Sequence, residues 1–250
     1  MSYPSPIAID GPAAAGKGTL AKKLGSHFNF ACLDTGALYR GVALLVLQAQ
    51  DDPTDPQKSL EAAQKLDINK IDHTAIRRAE VGQAAADVAV HQGVRSCILD
   101  LQRHFAANPP AGKDGAILDG RDIGTFVCPN APVKLFVTAS AEIRAHRRWL
   151  ELSVNDPSLK EAEILEAVIA RDKKDMERAI APLRPAEDAH LLDTSDLGIE
   201  NAFEAALMLF TSIGVLYPNR SGNFIIALCR RMVWRLGKTA EHNRPALIIF

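Results

Sequence analysis

The sequence predicts an α/β protein in which a parallel β-sheet is covered by helices on both faces. Five short apolar segments alternate with longer helical patterns along the chain, and this alternation is typical of parallel sheets. A glycine-rich turn follows the first apolar segment at residues 11–18, and polar loops follow the second and third at 34–40 and 119–124. Ligands of such sheets bind at the carboxyl ends of the strands. We therefore expect the three loops to converge on one site, as in an enzyme.

The size and composition of the chain favour one α/β domain with inserted subdomains over two independent domains. Its 250 residues are 47% hydrophobic, which is enough to bury a full-sized core. The formal net charge of −1 argues against a general nucleic-acid binder. Residues 211–250 carry a net charge of +5 and the remainder −6. An anionic substrate must therefore be held by local arginines.

The cysteine pattern and hydropathy indicate a cytoplasmic protein. Cys32, Cys97, Cys128 and Cys229 are scattered, without a C-x-x-C pair or the spacing of a metal site, which predicts reduced thiols. The N-terminus has neither a basic segment nor a long apolar one. No apolar stretch reaches 18 residues, so stable membrane insertion is not expected. We expect a cytoplasmic monomer that does not bind nucleic acid.

The elements of the first half follow from apolar periodicity and turn residues. We predict strands at 6–10 and 31–33 and helices at 35–47, 57–66 and 74–107. Asp34 or Thr35 is suited to cap the first of the long helices. A turn-rich break at 51–56 precedes the next.

The second half continues the same alternation. We predict strands at 116–118, 133–137 and 189–193, a charged helical stretch at 141–180 and a helix at 199–210. These elements complete one domain over residues 1–210. The C-terminal extension, 211–250, contains a basic amphipathic pattern at 224–236. A membrane-surface or partner-binding helix, a helix docked on the body and an extension without a role all remain open for it.

The glycine-rich turn has the form of a phosphate-binding loop. Backbone N–H groups of such a loop point at an anion, and the helix that follows adds the positive end of its dipole. Lys17 can reach the outer phosphates of a nucleoside triphosphate. Gly18 stands where most such loops carry the Ser or Thr that ligates magnesium, and the hydroxyl comes one place later. The residues predicted to bind the triphosphate are Gly11, Pro12, Ala13, Ala14, Ala15, Gly16, Lys17, Gly18 and Thr19.

Two other classes of phosphate-loop protein fit less well. Residues 69–72 match the guanine-binding motif N-K-x-D of GTPases. However, no strong apolar strand precedes them, and no D-x-x-G motif lies between them and the phosphate-binding loop. A motor ATPase would need a strand that ends in two adjacent acidic residues, whereas Leu118-Asp119-Gly120 supplies only one.

A kinase that acts on a phosphorylated acceptor needs a second anion site, which arginines supply best because they bind phosphate bidentately. Arg40 and Arg121 follow predicted strands. Five more arginines lie in the charged helical stretch: Arg144, Arg147, Arg148, Arg171 and Arg178. For Arg144 and Lys173 we expect a solvated helix face. Arg171, Asp175 and Arg178 lie at i, i+4 and i+7, on one stripe that predicts a lid over the phosphates.

Six motifs in order resemble those of bacterial cytidylate kinases, from about residue 7 to about residue 209: G-P-x-x-x-G-K-G-T, L-D-T-G-A-L-Y-R, D-G-R-D-I-G-T, P-V-K-L-F-V, R-A-H-R-R and R-D-x-x-D-x-x-R-A-x-A-P-L. The resemblance implies the three-layer P-loop nucleoside monophosphate (NMP) kinase fold, with a central five-stranded parallel sheet. It implies a helical NMP-binding region at about 35–110 and a lid at about 145–182. It also implies transfer of the γ-phosphate of ATP to CMP or dCMP, with Mg²⁺ held mainly through ATP phosphates and water.

The same resemblance assigns roles to individual residues. Arg40 and Arg121 would hold the acceptor phosphate. Thr35, Arg95, Asp122 and Arg178 would face the cytosine, and Arg171 and Asp175 the ribose. Arg147 and the lid arginines would close over the phosphoryl group in transfer. The implied catalytic residues are Lys17, Arg121, Arg147, Arg171 and Arg178.

Two departures from the family pattern leave the acceptor open among CMP, dCMP and UMP. The connector at 66–74 is too short for the small β-sheet that the family usually inserts, so a mainly helical NMP-binding region is expected. Ala86 stands where the family usually has a serine that hydrogen-bonds the base. A broader pyrimidine or other small-molecule kinase is the alternative within the class. A nucleotide-binding regulatory protein without catalysis is the alternative outside it, but such a binder has no need of two anion sites.

Overall fold

The computed structural model describes residues 3–154 and 156–212, and it contains the predicted five-stranded sheet. All neighbouring strands are parallel, in the order β2-β3-β1-β4-β5. The strands are β1 (Ile7–Asp10), β2 (Phe30–Asp34), β3 (Gly115–Gly120), β4 (Val133–Thr138) and β5 (His190–Asp193). Every residue of β1 is buried, because this central strand is covered on both faces.

Except that two of the predicted helices are each divided in two, the helices lie where the pattern predicts them. They are α1 (Lys17–Phe28), α2 (Thr35–Gln48), α3 (Pro56–Gln64), α4 (Ala79–Val88), α5 (Gln92–Ala107), α6 (Ala141–Ser153), α7 (Glu161–Glu177) and α8 (Ile199–Ser212). The predicted helix at 74–107 is divided, because His91 is extended and its ring lies 3.0 Å from the carbonyl oxygen of Pro53. The stretch at 141–180 is likewise divided into α6 and α7.

Two hydrophobic clusters lie on the two faces of the sheet and make the three layers. Leu38, Val42 and Ile98 pack with Leu118 of β3 on one face. Helices α1 and α8 cover the other face, where Leu24, Phe28 and Phe210 pack with the strands. The alternation of side chains along each strand decides which cluster a residue joins. The predicted α/β fold is therefore confirmed.

Within residues 35–110 the described elements are helical. Two short 3₁₀ turns, Ile68–Lys70 and Ala75–Arg77, join α3 to α4. The N-K-x-D match at 69–72 lies in and after the first of these turns, where Lys70 pairs with Asp67 at 3.4 Å. None of its residues lines the cleft described below. The predicted basic helix at 224–236 lies outside the described residues. No helix in the described part of the chain is long and apolar enough to cross a membrane.

Candidate active site

The turn between β1 and α1 needs glycine at two positions. Gly11 has φ 144°, and a Cβ there would lie 1.9 Å from the carbonyl oxygen of Val137 on the neighbouring strand β4. Gly16 has φ 87° and caps α1, while Ala14 between them also has a positive φ, 59°. Lys17 is the first helical residue, so the free N–H groups of the helix N-terminus lie within the loop. This geometry suits a bound phosphate.

Lys17 is buried inside this loop. Its Nζ donates to the carbonyl oxygen of Pro12 at 2.7 Å. Burial, followed by the positive charge of Arg121, lowers the pKa of Lys17 to about 7. Burial and the negative charge of Asp34 raise the pKa of nearby Asp119 to about 6. A polyphosphate bound here would favour the charged form of the lysine.

The loop after β3 presents Arg121 to the same space. Its Nε donates to Oδ2 of Asp175, on α7, at 2.9 Å, and about four fifths of each side chain is buried. Arg40, on α2, pairs with Asp34 at 3.1 Å. The Nε of Arg40 is buried without a hydrogen-bond partner among the described residues. A buried unpaired donor of this kind fits an anionic ligand.

Asp122 lies between two arginines at the other end of the cleft. Its Oδ2 is 3.9 Å from Arg95 and 3.7 Å from Arg178. Burial raises the pKa of Asp122, and the two arginines oppose that rise. The Nη2 of Arg178 is buried without a hydrogen-bond partner in the described part of the chain, although its Nε donates to the carbonyl of Ala181. Carboxylate and guanidinium groups together can pair with a ligand edge that offers both donors and acceptors.

Two further predicted residues take part in interactions with the protein itself. Thr35 is buried and donates from Oγ1 to the carbonyl oxygen of Asp119 at 2.8 Å. Arg147, on α6, donates to Oγ1 of Thr194 at 3.1 Å and to the carbonyl oxygen of the same residue at 2.6 Å. Arg171 has an exposed side chain, but desolvation at the cleft wall, followed by the charge of Arg121, lowers its pKa.

One cleft of about 1510 Å³ joins these groups. Its lining includes residues 13–19 of the phosphate loop and Ala86, whereas Gly11 and Pro12 are buried and do not line it. It also includes the other residues predicted for catalysis and acceptor binding: Thr35, Arg40, Arg95, Arg121, Asp122, Arg147, Arg171, Asp175 and Arg178. The expected convergence of the three loops is therefore observed.

The prediction for Arg144 was wrong. Instead of lying on a solvated face, this side chain is 5% exposed and forms an ion pair with Asp172 of α7. Lys173 is exposed, as expected. The sequence places Arg144 and Asp172 28 positions apart, so only the packing of α6 on α7 brings them together.

Asp10 was also missed by the sequence reasoning. Its carboxylate accepts hydrogen bonds from the backbone N–H groups of Ile123 at 2.8 Å and Gly124 at 2.7 Å, the first residues of a π-helical turn, Ile123–Val127. Burial raises the pKa of Asp10 to about 6, and the two hydrogen bonds oppose the rise. The sequence did contain a signal for this role, since Asp10 ends an apolar strand and a buried carboxylate needs hydrogen-bond partners.

A glycine-rich loop with a buried lysine and a set of arginines line one cleft at the carboxyl ends of a parallel sheet. This combination is typical of P-loop kinases of the nucleoside monophosphate type. The family model described as cytidylate kinase matches residues 7–212. The chain therefore belongs to the cytidylate kinase family, and it is a nucleotide-binding enzyme with kinase activity. The resemblance seen in the sequence is confirmed.

Curated relatives named cytidylate kinase match most of the chain, as three of them illustrate. The protein of Nitrobacter winogradskyi is 47% identical over 209 residues, covering 84% of this chain and 97% of the relative. That of Azorhizobium caulinodans is 52% identical over 203 residues, covering 81% and 96%. That of Paramagnetospirillum magneticum is 52% identical over 206 residues, covering 82% and 97%.

Proposed function

We propose that the protein transfers the γ-phosphate of ATP to CMP and dCMP, giving ADP and the corresponding diphosphate. The observation that carries the proposal is the single cleft in which the phosphate loop and a second set of arginines line the same space. Two polyanions must meet in this reaction, and their repulsion has to be neutralised on both sides. Membership of the cytidylate kinase family supports the choice of acceptor.

In this proposal the loop from Gly11 to Thr19 holds ATP, and Lys17 contacts its outer phosphates. Among residues 3–154 and 156–212 there is no group of three or more His, Cys, Asp or Glu side chains that could hold a metal ion. Mg²⁺ in phosphoryl-transfer sites typically needs only one or two carboxylates in addition to phosphates and water. Asp119, a half-buried carboxylate beside Gly18, fits such a role through water. When bound, Mg²⁺ would neutralise charge on the phosphates.

The acceptor would lie on the other side of the cleft. In the proposal, the buried Nε of Arg40 and the guanidinium of Arg121 bind its phosphate, and Asp175, which accepts from Arg121, also accepts from a ribose hydroxyl. Cytosine presents a donor at its amino group and acceptors at O2 and N3. Asp122 would accept from the amino group, while the Nη2 of Arg178, which lies 3.7 Å from Asp122 without a hydrogen bond, would donate to the ring. Uracil offers the opposite pattern at two of these positions.

The chemistry needs no base from the protein. An oxygen of the acceptor phosphate attacks the γ-phosphorus, the bond to the β–γ bridging oxygen breaks, and ADP leaves with that electron pair. Since the nucleophile is already an anion, the protein contributes positioning and charge neutralisation. Arg121, Arg147 and Arg171 are the cations proposed to surround the group in transfer, with closure of the α6–α7 region excluding water.

A coupled assay of ADP release, with ATP, Mg²⁺ and each nucleoside monophosphate in turn, tests the proposal. We expect turnover with CMP and dCMP and much slower turnover with UMP. A preference for AMP or GMP, or ADP release without any acceptor, would contradict it. Equal rates with CMP and UMP would support the broader pyrimidine kinase, the alternative suggested by Ala86, which lines the cleft without a hydroxyl.

A further inference from the structure

The buried guanidinium of Arg144 joins three parts of the protein. Its Nη1 and Nη2 donate to the two carboxylate oxygens of Asp172, at 3.0 and 2.5 Å. Its Nε donates to the carbonyl oxygen of Ala139, after β4, at 2.8 Å. The same Nη1 lies 3.3 Å from the carbonyl oxygen of Ala13 in the phosphate loop. One side chain therefore links α6, α7 and the loop proposed to hold ATP.

Burying this ion pair costs free energy, so packing alone does not account for its presence. A buried ion pair is often no more stabilising than hydrophobic residues of the same volume, because both charges must lose their water. Only 5% of the Arg144 side chain and 13% of the Asp172 side chain are exposed. A guanidinium does, however, fix direction, since its planar donors bind a carboxylate in one geometry. The arrangement is suited to positioning.

Helix α7 is held at two points one helical turn apart. Asp172 pairs with Arg144, which contacts the phosphate loop, and Asp175 pairs with Arg121 on the acceptor side of the cleft. Arg171, proposed to face the reacting groups, precedes Asp172 directly. A shift of the loop at Ala13 would therefore change the position of α7 through the shared Nη1 of Arg144.

We propose that Arg144 is a positioning residue that couples the phosphate loop to α7 through Asp172, so that ATP bound at the loop prepares the acceptor side of the cleft. This inference rests on the proposed function, since it assumes two nucleotides in one cleft. It predicts that the two nucleotides strengthen each other's binding. Coupling between sites is commonly a factor of about 5 to 150 in affinity.

The experiment measures this coupling by isothermal titration calorimetry. A non-hydrolysable ATP analogue is titrated into the protein with and without saturating CMP, and the ratio of the two dissociation constants is the coupling factor. We expect a factor of about 5 or more in the unaltered protein. In Arg144→Lys the charge remains, but an ammonium cannot reproduce the bidentate geometry. We expect the factor to fall close to one there and in the double variant Arg144→Met/Asp172→Leu, with kcat falling about tenfold or more.

The double variant guards against failure to fold, because it removes both charges and leaves neither buried unpaired. His146→Gln/Glu161→Gln is the matched control, since His146 and Glu161 also bridge α6 and α7, at 3.0 Å, but are about half exposed and do not contact the phosphate loop. The control should keep the unaltered coupling factor. Thermal unfolding identifies any variant that is merely destabilised.

A coupling factor of one in the unaltered protein would overturn the inference. The inference would also be overturned if Arg144→Lys or the double variant kept the coupling factor of the unaltered protein. An equal loss of coupling in the His146/Glu161 control would overturn it too. A purely structural role would lower the unfolding temperature or weaken both affinities and leave the ratio unchanged. CMP phosphorylation by the unaltered protein tests the proposed function alone. If another monophosphate proves to be the acceptor, it replaces CMP in the titration, and the ratio still decides the inference.

Discussion

Asp172 and Asp175 lie one turn apart on α7 and bind arginines that come from two different sides of the cleft. Asp172 holds Arg144, which reaches the phosphate loop, and Asp175 holds Arg121, which follows β3. Arg171 precedes Asp172 directly, and α7 ends at Glu177, just before Arg178. The position of this turn is therefore linked to the positions of Arg144 and Arg121 on the two sides of the cleft.

Replacement of Arg121 should remove most of the activity without unfolding the protein. We expect Arg121→Ala to lower kcat by about 10³-fold, which is the scale of a cation that stabilises the transition state of phosphoryl transfer. Arg121→Lys should recover only part of this, because an ammonium cannot bind phosphate bidentately. Steady-state kinetics with ATP and CMP measures both. Arg184→Ala is the control, since Arg184 is exposed and does not line the cleft; equal turnover in Arg121→Ala would refute the assigned role.

Binding of ATP should take up a proton above neutral pH. Burial and the charge of Arg121 hold the pKa of Lys17 near 7, so the side chain is mostly neutral at pH 8.5. A polyphosphate favours the charged form and raises that pKa, so affinity for ATP should fall as pH rises above 7. Calorimetric titration at pH 8.5 in buffers of different ionisation enthalpy measures the uptake.

Lys17→Met is the control for this proton uptake, since it removes the titrating group. Folding, unlike the binding of ATP, releases a proton from Lys17 in this pH range. Between pH 7 and the ordinary lysine pKa of 10.5, the unfolded chain binds a proton that the folded one does not. The contribution of Lys17 to stability therefore increases with pH across this range. Proton release on ATP binding, or uptake that persists in Lys17→Met, would contradict the assignment.

Two glycine substitutions should have opposite effects on stability. In Gly11→Ala the new methyl group would lie 1.9 Å from a backbone oxygen, at a φ of 144° that an L-residue rarely adopts. We expect destabilisation by about 3 kcal/mol or more, with loss of ATP binding. Gly82 lies inside α4 with nothing within 4 Å of an added Cβ, so Gly82→Ala should stabilise by about 0.5–1 kcal/mol. Urea denaturation measures both, and a stable Gly11→Ala would disprove the steric argument.

Asp10 should stabilise the loop after β3 through its two backbone hydrogen bonds. In Asp10→Asn the side-chain NH₂ would face one of the N–H groups of Ile123 and Gly124. We expect a loss of about 1–3 kcal/mol in the free energy of unfolding and weaker CMP binding. Asp100→Asn, at an exposed position on α5, should change stability by less than about 0.5 kcal/mol. Equal effects in the two variants would rule out this role.

The fold class and the phosphate loop were predictable because both depend on local sequence. The glycines and Lys17 lie within nine consecutive residues, and the backbone conformation they require is a property of those residues themselves. The alternation of apolar segments with helices left few arrangements for the sheet. Because ligands of parallel sheets bind at the carboxyl ends of the strands, residues 34–40 and 119–124 were expected to line the same cleft. The structure agrees.

The sequence by itself therefore determined the class of fold, the phosphate loop and the segments that supply arginines near the carboxyl ends of the strands. Only the tertiary structure decided which arginines face the cleft and which are internal supports. Arg144 and Arg171 belong to the same charged stretch, yet the first is buried against Asp172 and the second is exposed. The physical reason is that helix periodicity fixes the face a residue occupies relative to its own helix. Whether that face meets solvent or another helix depends on packing between segments far apart in the chain.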